Sequence, residues 1–311
     1  MIKKTLYFGS PAYLSLANKQ MIIKLPEVEA ADVPDLFKNQ SKKSVPIEDI
    51  GVVILDNKRI TITQGLIEEL LDNNVALVTC DSARMPVGLM LPLCGHSTQT
   101  EHFREQIEAT QPLKKQLWQQ TIKAKIKNQA LLLESVRSID VAPMLKWADD
   151  VKSGDPDNYE AQAAACFWMN IFPDIPDFRR HREGIPPNNL LNYGYAILRA
   201  VIARAIVSSG MLPSLGIFHR NKYNAYCLAD DVMEPYRPIV DKTVIDIIAS
   251  GVDISELNLE LKQVLLSIPA QDVMMDGRRR PLLVAASQTA ASLYKCFAGE
   301  LRKIVYPDII V

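Results

Sequence analysis

The hydrophobic pattern of this chain changes near residues 94–100, and this change limits the folds that the chain can adopt. Before it, short β-favouring runs alternate with turn residues; examples are LYFG, AYLSLA, QMIIKL and IGVVILD. Beyond Leu93, long helical segments broken by Pro and Gly continue almost to the end. Strands and helices repeat their apolar residues with different periods. We therefore expect an α+β protein, with a small β-rich, sandwich-like domain over residues 1–95 and a larger all-α domain over residues 96–311.

The first part should contain about seven short strands. Only the segment Gln64 to Asp72 has a helical pattern there, with Leu66 and Leu70 on one side. Residues Glu27 to Ser44 lack apolar periodicity and carry acids followed by lysines. We expect a mobile hairpin loop over those residues.

Two long helices are predicted in the second part. Apolar residues recur at helical spacing at Trp118, Ile122, Ile126, Ala130 and Leu133. A further helix over Leu191 to Ser208 should end at Gly210, a residue type that favours the C-terminal cap. The segment from Phe172 to Asn189 has four prolines and a group of arginines, so we expect a loop.

Charge and targeting signals narrow the class of protein. The chain has 35 Lys and Arg residues against 36 Asp and Glu residues, for a net charge of −1. A nucleic acid would therefore have to be held by local basic patches. Five scattered cysteines are typical of a reducing compartment. We find no signal peptide and no run of ~18 apolar residues, and we expect a cytoplasmic protein with no membrane partner.

A carboxylate lies on an apolar helix face in the segment YEAQAAACFWMNIF. Glu160 shares that face with Ala164 and Ile171. Burial of a carboxylate without a partner is costly, so Glu160 should be neutral, paired with a nearby arginine, or bound to a cation. The segment by itself leaves these alternatives open.

A second group of acids follows in NAYCLADDVMEPYRP. Asp230, Asp231 and Glu234 lie within little more than one helical turn, where like charges repel. A divalent cation would relieve that repulsion, and a solvated acidic face with Arg237 as counter-ion is the alternative. His219 ends the apolar run LPSLGIF and is either a structural histidine or a ligand.

If these segments meet, one histidine with two or three carboxylates and no thiolate favours Mg²⁺ or Mn²⁺ over structural zinc. Such ions act mostly on phosphates. Walker A loops, dinucleotide-binding glycine motifs and zinc-protease motifs are all absent from the sequence.

Three basic clusters in the helical part could hold a phosphate backbone, although each alone is equally well a solvated face. The first comprises Lys114, Lys115, Lys123, Lys125 and Lys127. Within it, Lys123 and Lys127 project away from the apolar stripe. The other two clusters are Arg179, Arg180 and Arg182, and the triplet Arg278, Arg279 and Arg280.

Several segments, in this order, resemble the metal-dependent integrase subunit of CRISPR adaptation, the first-numbered of the Cas proteins. They are VPIEDIGVVILD, LWQQTIKAKIKNQA, YEAQAAACFW, NNLLNYGYAILRA, LPSLGIFHRN and LADDVMEPYRPIVD. The closing GRRRPLLVAASQTAASLYKCFAG resembles the type II members of that family in particular.

The resemblance implies a β-rich dimerisation domain followed by an α-helical catalytic domain. It places the catalytic metal ligands at Glu160, His219 and Glu234, with Asp231 as an auxiliary candidate. Spacing does not decide between Asp230 and Asp231. The implied cofactor is Mg²⁺ or Mn²⁺. The implied partners are double-stranded DNA, a second copy of the chain, the small second-numbered Cas adaptation protein and, as a further candidate, the type II effector nuclease.

The implied reaction inserts short DNA fragments, called spacers, into a CRISPR array by transesterification. The 3′-hydroxyl of the captured fragment attacks a phosphodiester of the array, without any nucleotide cofactor. Two alternatives stay open: a DNA-binding scaffold without catalysis, and a general metal-dependent repair nuclease. Metal dependence separates the first alternative from an integrase, and covalently joined products separate the second.

Overall fold

The computed structural model describes residues 3–26 and 42–311. The chain divides into two compact units, Met1–Gly95 and His96–Val311. The first is β-rich and the second mainly helical, so the predicted fold class is confirmed. Most of the loop predicted over Glu27 to Ser44 lies outside the described residues, and its last two residues belong to a strand.

The described part of the first unit holds eight strands and one α-helix. Their bounds are β1 Lys4–Phe8, β2 Ala12–Ala17, β3 Gln20–Lys24, β4 Lys43–Pro46, β5 Ile50–Leu55, β6 Ile60–Ile62, α1 Gln64–Asp72, β7 Ala76–Cys80 and β8 Pro86–Met90. The strand missed by the sequence analysis is β4, whose KSVP has no apolar alternation. Strand β4 pairs with β3 in an antiparallel arrangement, and this pairing accounts for its extended conformation.

Two four-stranded sheets form this unit, in the orders β1-β5-β7-β8 and β4-β3-β2-β6. Strand β5 is parallel to both β1 and β7. Its sequence IGVVIL is almost wholly buried, as the continuous apolar run of a central parallel strand should be. The core joins Leu14 and Met21 of one sheet, Val53 of the other and Leu66 of α1.

The second unit is built from long helices. Their bounds are α2 Gln99–Glu108, α3 Gln111–Arg137, α4 Ala142–Asp150, α5 Tyr159–Ile171, α6 Asn188–Ser208, α7 Cys227–Met233, α8 Arg237–Ala249, α9 Leu259–Leu266 and α10 Leu282–Phe297. Two short strands, β9 Asp272–Met275 and β10 Arg278–Pro281, form an antiparallel hairpin before α10.

This hairpin departs from the all-α composition that we expected for the second unit. Asp276 and Gly277 both have positive φ, of 49° and 71°, and they turn the chain between the two strands. Three consecutive arginines with half-exposed or exposed side chains gave no apolar alternation from which a strand could be predicted.

Helix α6 runs through the centre of the second unit. It is long and apolar enough to cross a membrane by length and composition, but 83% of its most apolar stretch is buried inside the protein. A helix that is buried to this extent belongs to the core of the second unit. Glycine at position 194 lets the side chain of Val240 approach closely, because a Cβ there would lie 2.5 Å from Val240 Cγ1.

Asn128, on α3, links three separate parts of the second unit. Its Nδ2 donates to the carbonyls of Pro235 at 2.8 Å and Pro307 at 3.0 Å, and its Oδ1 accepts from the backbone N–H of Ile309 at 3.1 Å. The side chain is buried. It therefore fixes the turn that contains Pro235 against α3.

We expect Asn128→Ala to lower the free energy of unfolding by about 2–4 kcal/mol, because two buried carbonyls and one buried N–H lose their partner. Urea unfolding followed by far-UV circular dichroism measures this. Asn170→Ala is the control, since its amide donates within its own helix, to Cys166 O and more weakly to Cys166 Sγ. A cost for Asn128→Ala no larger than that of the control would contradict this role.

Candidate active site

Glu160 lies in the first turn of α5, where the loop before the helix fixes its position. Asp155 caps the helix: its carboxylate accepts from the backbone N–H of Tyr159 at 3.0 Å and of Glu160 at 2.9 Å. An acid in the first turn also interacts favourably with the helix dipole. The side chain of Glu160 is 24% exposed.

Glu234 lies in a single 3₁₀ turn, Glu234–Tyr236, between α7 and α8. Pro235 has no backbone N–H and disfavours continuation of α7 through the residue before it. The helix therefore ends at Met233, and the Glu234 side chain is buried at the break. Asn128 holds the carbonyl of the next residue, which fixes the turn.

Lys125 lies between the two glutamates. Its Nζ is 2.7 Å from Glu160 Oε1 and 2.7 Å from Glu234 Oε2. Burial alone would lower the pKa of this ammonium, but the charges of Glu234 and Glu160 outweigh it and raise the pKa. A buried, charged lysine thus bridges two acids that come from different elements.

The sequence analysis missed this role, because it grouped Lys125 with four other lysines as a basic cluster. The signal was present in the spacing. Lys125 is seven residues after Trp118 and three after Ile122, which places it on the buried stripe of α3. Lys123 and Lys127 do project away from that stripe.

Arg237 is the second cation at Glu234. Its Nε donates to Glu234 Oε1 at 2.9 Å, and its guanidinium lies 4.8 Å from the centre of the Tyr195 ring. Burial alone would raise the pKa of Glu234, but Arg237 and Lys125 lower it to about 2. Glu234 is therefore a carboxylate at neutral pH.

The two neighbouring aspartates of α7 have different partners. Asp230 accepts from Arg199 Nε at 2.6 Å and from Asn224 Nδ2 at 2.7 Å. Asp231 is fully buried and accepts from His219 Nδ1 at 2.5 Å. Spacing could not separate these roles, because they depend on which neighbouring element each side chain meets.

Asp231 also fixes the loop that carries His219. Its Oδ2 accepts from the backbone N–H of Phe218 at 2.9 Å, and its Oδ1 from that of His219 at 3.3 Å. Both oxygens of the predicted auxiliary ligand are therefore engaged inside the protein. With Nδ1 bound to Asp231, the His219 ring presents Nε2 for coordination.

His219 is close enough to both glutamates for their charges to act on it. Its pKa is raised, mainly by the hydrogen bond to Asp231 and further by the negative charges of Asp231, Glu234 and Glu160. Its ring is perpendicular to that of Trp118, with 5.6 Å between ring centres. The three predicted ligands are thus brought to one region of the second unit.

The donor set fits a divalent cation, although no preformed group of three His, Cys, Asp or Glu side chains around a metal position occurs in residues 3–26 and 42–311. Two carboxylates and a neutral imidazole suit Mg²⁺ or Mn²⁺. The ammonium of Lys125 shows that Glu160 and Glu234 are spaced to share one cation. A metal ion would have to take its place.

A cavity of about 140 Å³ adjoins Glu234 and Lys125. It is lined by Lys125, Gln129, Ala164, Trp168, Arg180, Tyr195, Glu234, Arg237 and Asp241. Asp241 is buried and accepts a hydrogen bond from the Tyr195 hydroxyl. Burial raises the pKa of Asp241 to about 7, against the opposing effects of Tyr195 and nearby arginines.

The predicted DNA-binding residues differ in how free their side chains are. Lys123 donates to the carbonyl of Asp149 at 2.9 Å, and Lys127, half-exposed, lies 3.7 Å from Asp149 Oδ1. Arg180 donates to Asn188 and Asn192, so it is held against the first turns of α6. Exposed side chains belong to Arg179, Arg182, Arg278 and Arg279, and Arg280 is half-buried.

The family model for CRISPR associated protein Cas1 matches residues 7–275 of this chain. The chain is 34% identical over 312 residues to the CRISPR-associated endonuclease Cas1 of Neisseria meningitidis serogroup C (strain 8013), covering 100% of this chain and 97% of that protein. Both comparisons agree with the resemblance found in the sequence.

Two solved structures share the fold. A casposase bound to an integration product superposes with a TM-score of 0.75 at 22% identity, over 98% of this chain and 92% of that one. A Cas6-RT-Cas1–Cas2 complex gives a TM-score of 0.75 at 18% identity, over 99% of this chain and 36% of that longer one. The family-model match and the identity to the Neisseria protein show that the chain belongs to the CRISPR-associated Cas1 family.

Proposed function

We propose that this chain is a divalent-metal-dependent DNA integrase that inserts short DNA fragments into a CRISPR array. One observation carries the proposal: Glu160 and Glu234 share a single buried cation beside an imidazole that Asp231 orients. The relative from Neisseria is named an endonuclease, and the casposase structure is described as bound to an integration product. Both descriptions agree with chemistry at a phosphodiester.

Glu160, Glu234 and Nε2 of His219 would hold the metal ion. When bound, Mg²⁺ or Mn²⁺ supplies positive charge to the phosphoryl oxygens and to the attacking hydroxyl. By accepting from Nδ1, Asp231 keeps the proton of the neutral imidazole on that nitrogen and leaves the lone pair of Nε2 for the metal ion, and it holds the ring in place through the backbone of residues 218–219. Arg237 keeps Glu234 ionised.

In the proposed reaction, the 3′-hydroxyl of the fragment loses its proton to water, and its oxygen forms a new bond to a phosphorus atom of the array. The bond from that phosphorus to the 3′-oxygen of the array strand breaks, and the departing oxygen takes the electron pair and then a proton. The number of phosphodiester bonds is unchanged, so no nucleotide cofactor is needed. The protein contributes position and charge.

The proposed partners are double-stranded DNA, a second copy of the chain bound through the first unit, and the small Cas2 protein, in the cytoplasm. Family membership and the Cas1–Cas2 complex with a similar fold support the Cas2 partner. The type II effector nuclease is proposed as a further partner because the closing segment GRRRPLLVAASQTAASLYKCFAG resembles the type II members of the family.

We expect Glu160→Gln and Glu234→Ala each to reduce the joining of a labelled DNA fragment to a plasmid about 10²-fold or more in the presence of Mg²⁺ or Mn²⁺. The reason is that each substitution removes a metal ligand. Glu260→Gln is the matched control, since Glu260 is an exposed glutamate in the first turn of α9. Gel analysis of the products, with circular dichroism to confirm folding, measures both.

Full joining by either folded variant would contradict the ligand assignment. Cut DNA without joined, branched products in the presence of Cas2 would instead indicate a repair nuclease. DNA binding with no metal-dependent cutting or joining by the wild type would indicate a scaffold. Either of the last two outcomes rejects the integrase proposal.

Asp231→Asn should weaken Mn²⁺ binding about 10–100-fold, because the amide cannot accept from Nδ1 in the way that the carboxylate does and the ring loses its orientation. Electron paramagnetic resonance of free Mn²⁺ measures the change. Asp246→Asn, on the exposed side of α8, is the control. An Mn²⁺ affinity equal to that of the control would show that Asp231 does not act through His219.

Single substitutions of exposed basic residues should each lower the salt slope of DNA binding by about one unit, because each removes one phosphate contact. We expect this for Lys127→Ala and Arg279→Ala in fluorescence anisotropy titrations at several salt concentrations. Lys152→Ala, outside the predicted clusters, should leave the slope unchanged. A slope that is unchanged in Lys127→Ala and Arg279→Ala as well would remove those two residues from the DNA surface.

A further inference from the structure

The charges around Glu160 and Glu234 are already balanced without a metal ion. Two carboxylates face two cations, Lys125 and Arg237, at distances of 2.7 to 2.9 Å. A divalent cation bound to the same carboxylates would lie within a few ångströms of the Lys125 ammonium. Like charges at that separation repel strongly in a buried site. The ammonium and the metal ion therefore cannot both occupy this position.

A second acceptor for the ammonium lies one helical turn away. Gln129 is four residues after Lys125 on α3, so both side chains are on the same face of the helix. Gln129 is 4% exposed, and its Oε1 is buried without a hydrogen-bond partner among the described residues. Leaving such an acceptor unpaired is costly, which indicates that a donor reaches it in another state.

The cavity beside the acids contains both ends of this path. The wall of this cavity, whose volume is about 140 Å³, includes Lys125, Gln129 and Asp241. Oδ1 of Asp241 accepts a hydrogen bond from the Tyr195 hydroxyl, so the carboxyl group can still accept a hydrogen bond from a further donor. A lysine side chain has enough rotatable bonds to turn from one end to the other without movement of the backbone.

We propose that Lys125 is an exchangeable internal cation: it bridges Glu160 and Glu234 in the metal-free protein, and on binding of a divalent ion its ammonium turns to Gln129 and Asp241. The proposal rests on the metal site of the proposed function and adds to it a residue that sets metal affinity. Lys125 is a positioning residue, because it acts through Glu160 and Glu234.

The exchange has a consequence for the metal-free protein. The two acids are never buried without a cation, so the site stays folded before a metal ion arrives. The metal ion must compete with the lysine, and this competition lowers its apparent affinity. Removing the ammonium should therefore tighten metal binding, whereas a merely structural lysine would weaken it or leave it unchanged.

The test is Mn²⁺ binding by the full chain in the absence of DNA, measured by electron paramagnetic resonance of the free ion. Lys125→Met should bind Mn²⁺ at least about tenfold more tightly than the wild type. Lys146→Met is the control, because Lys146 is exposed on α4 and gives the same change of net charge. Affinity in Lys125→Met equal to or weaker than in the control would overturn the exchange.

A double-mutant cycle tests the second resting place. Gln129→Leu removes the acceptor, so it should weaken Mn²⁺ binding in the wild type by several-fold and have no effect in the Lys125→Met background. Equal effects of Gln129→Leu in both backgrounds would show that the two residues are not coupled, which would overturn the proposal.

Two further readouts separate the causes of failure. If Lys125→Met is unfolded without metal, titration with Mn²⁺ should restore its circular dichroism spectrum, and failure to refold at saturating Mn²⁺ counts against the proposal. Wild-type Mn²⁺ binding that is lost in His219→Ala supports the metal site itself. If that dependence holds while Lys125→Met shows no gain, only the exchange is rejected. If the dependence is absent, the proposed function fails at its metal site.

Discussion

The ion pairs of Lys125 with Glu160 and Glu234 join three elements that are far apart in the sequence. Lys125 comes from the middle of α3, Glu160 from the first turn of α5, and Glu234 from the turn between α7 and α8. Removing one partner of a buried pair leaves an uncompensated charge, at a cost of about 3–5 kcal/mol. The cluster therefore makes the geometry of the site depend on the packing of all three elements.

Local features of the sequence fix the backbone that carries each of these side chains. Asp155 caps α5, Pro235 ends α7, and Asn128 fixes the turn beside Glu234. Asp231 does the same for the loop of His219 through two backbone N–H groups. The net charge of −1 does not reveal this separation of charges, because it is the sum over a buried acidic site and basic residues that lie elsewhere.

Periodicity predicted the change from strands to helices. Residue chemistry indicated a wider group of candidate acids and one histidine, and the resemblance to a known family selected Glu160, His219 and Glu234 as ligands. A helix stripe through Trp118 and Ile122 is visible in the sequence because its residues are apolar. Lys125 lies on the same stripe. Because it occurs in a group of lysines, it is interpreted as solvent-exposed unless its position is compared with that of the apolar residues. The separate roles of Asp230 and Asp231, and the strand at Arg278–Pro281, depend on tertiary partners that no local pattern contains.

We propose that Glu160, Glu234 and His219 form one divalent-cation site from which Lys125 is displaced. A crystal structure of the full chain grown with Mn²⁺, with anomalous scattering recorded for manganese, tests it most directly. We expect a peak within about 2.0–2.3 Å of both carboxylates and of His219 Nε2, with the Lys125 ammonium near Gln129. A manganese peak elsewhere, or Lys125 still bridging the two acids at full occupancy of the metal, would contradict it.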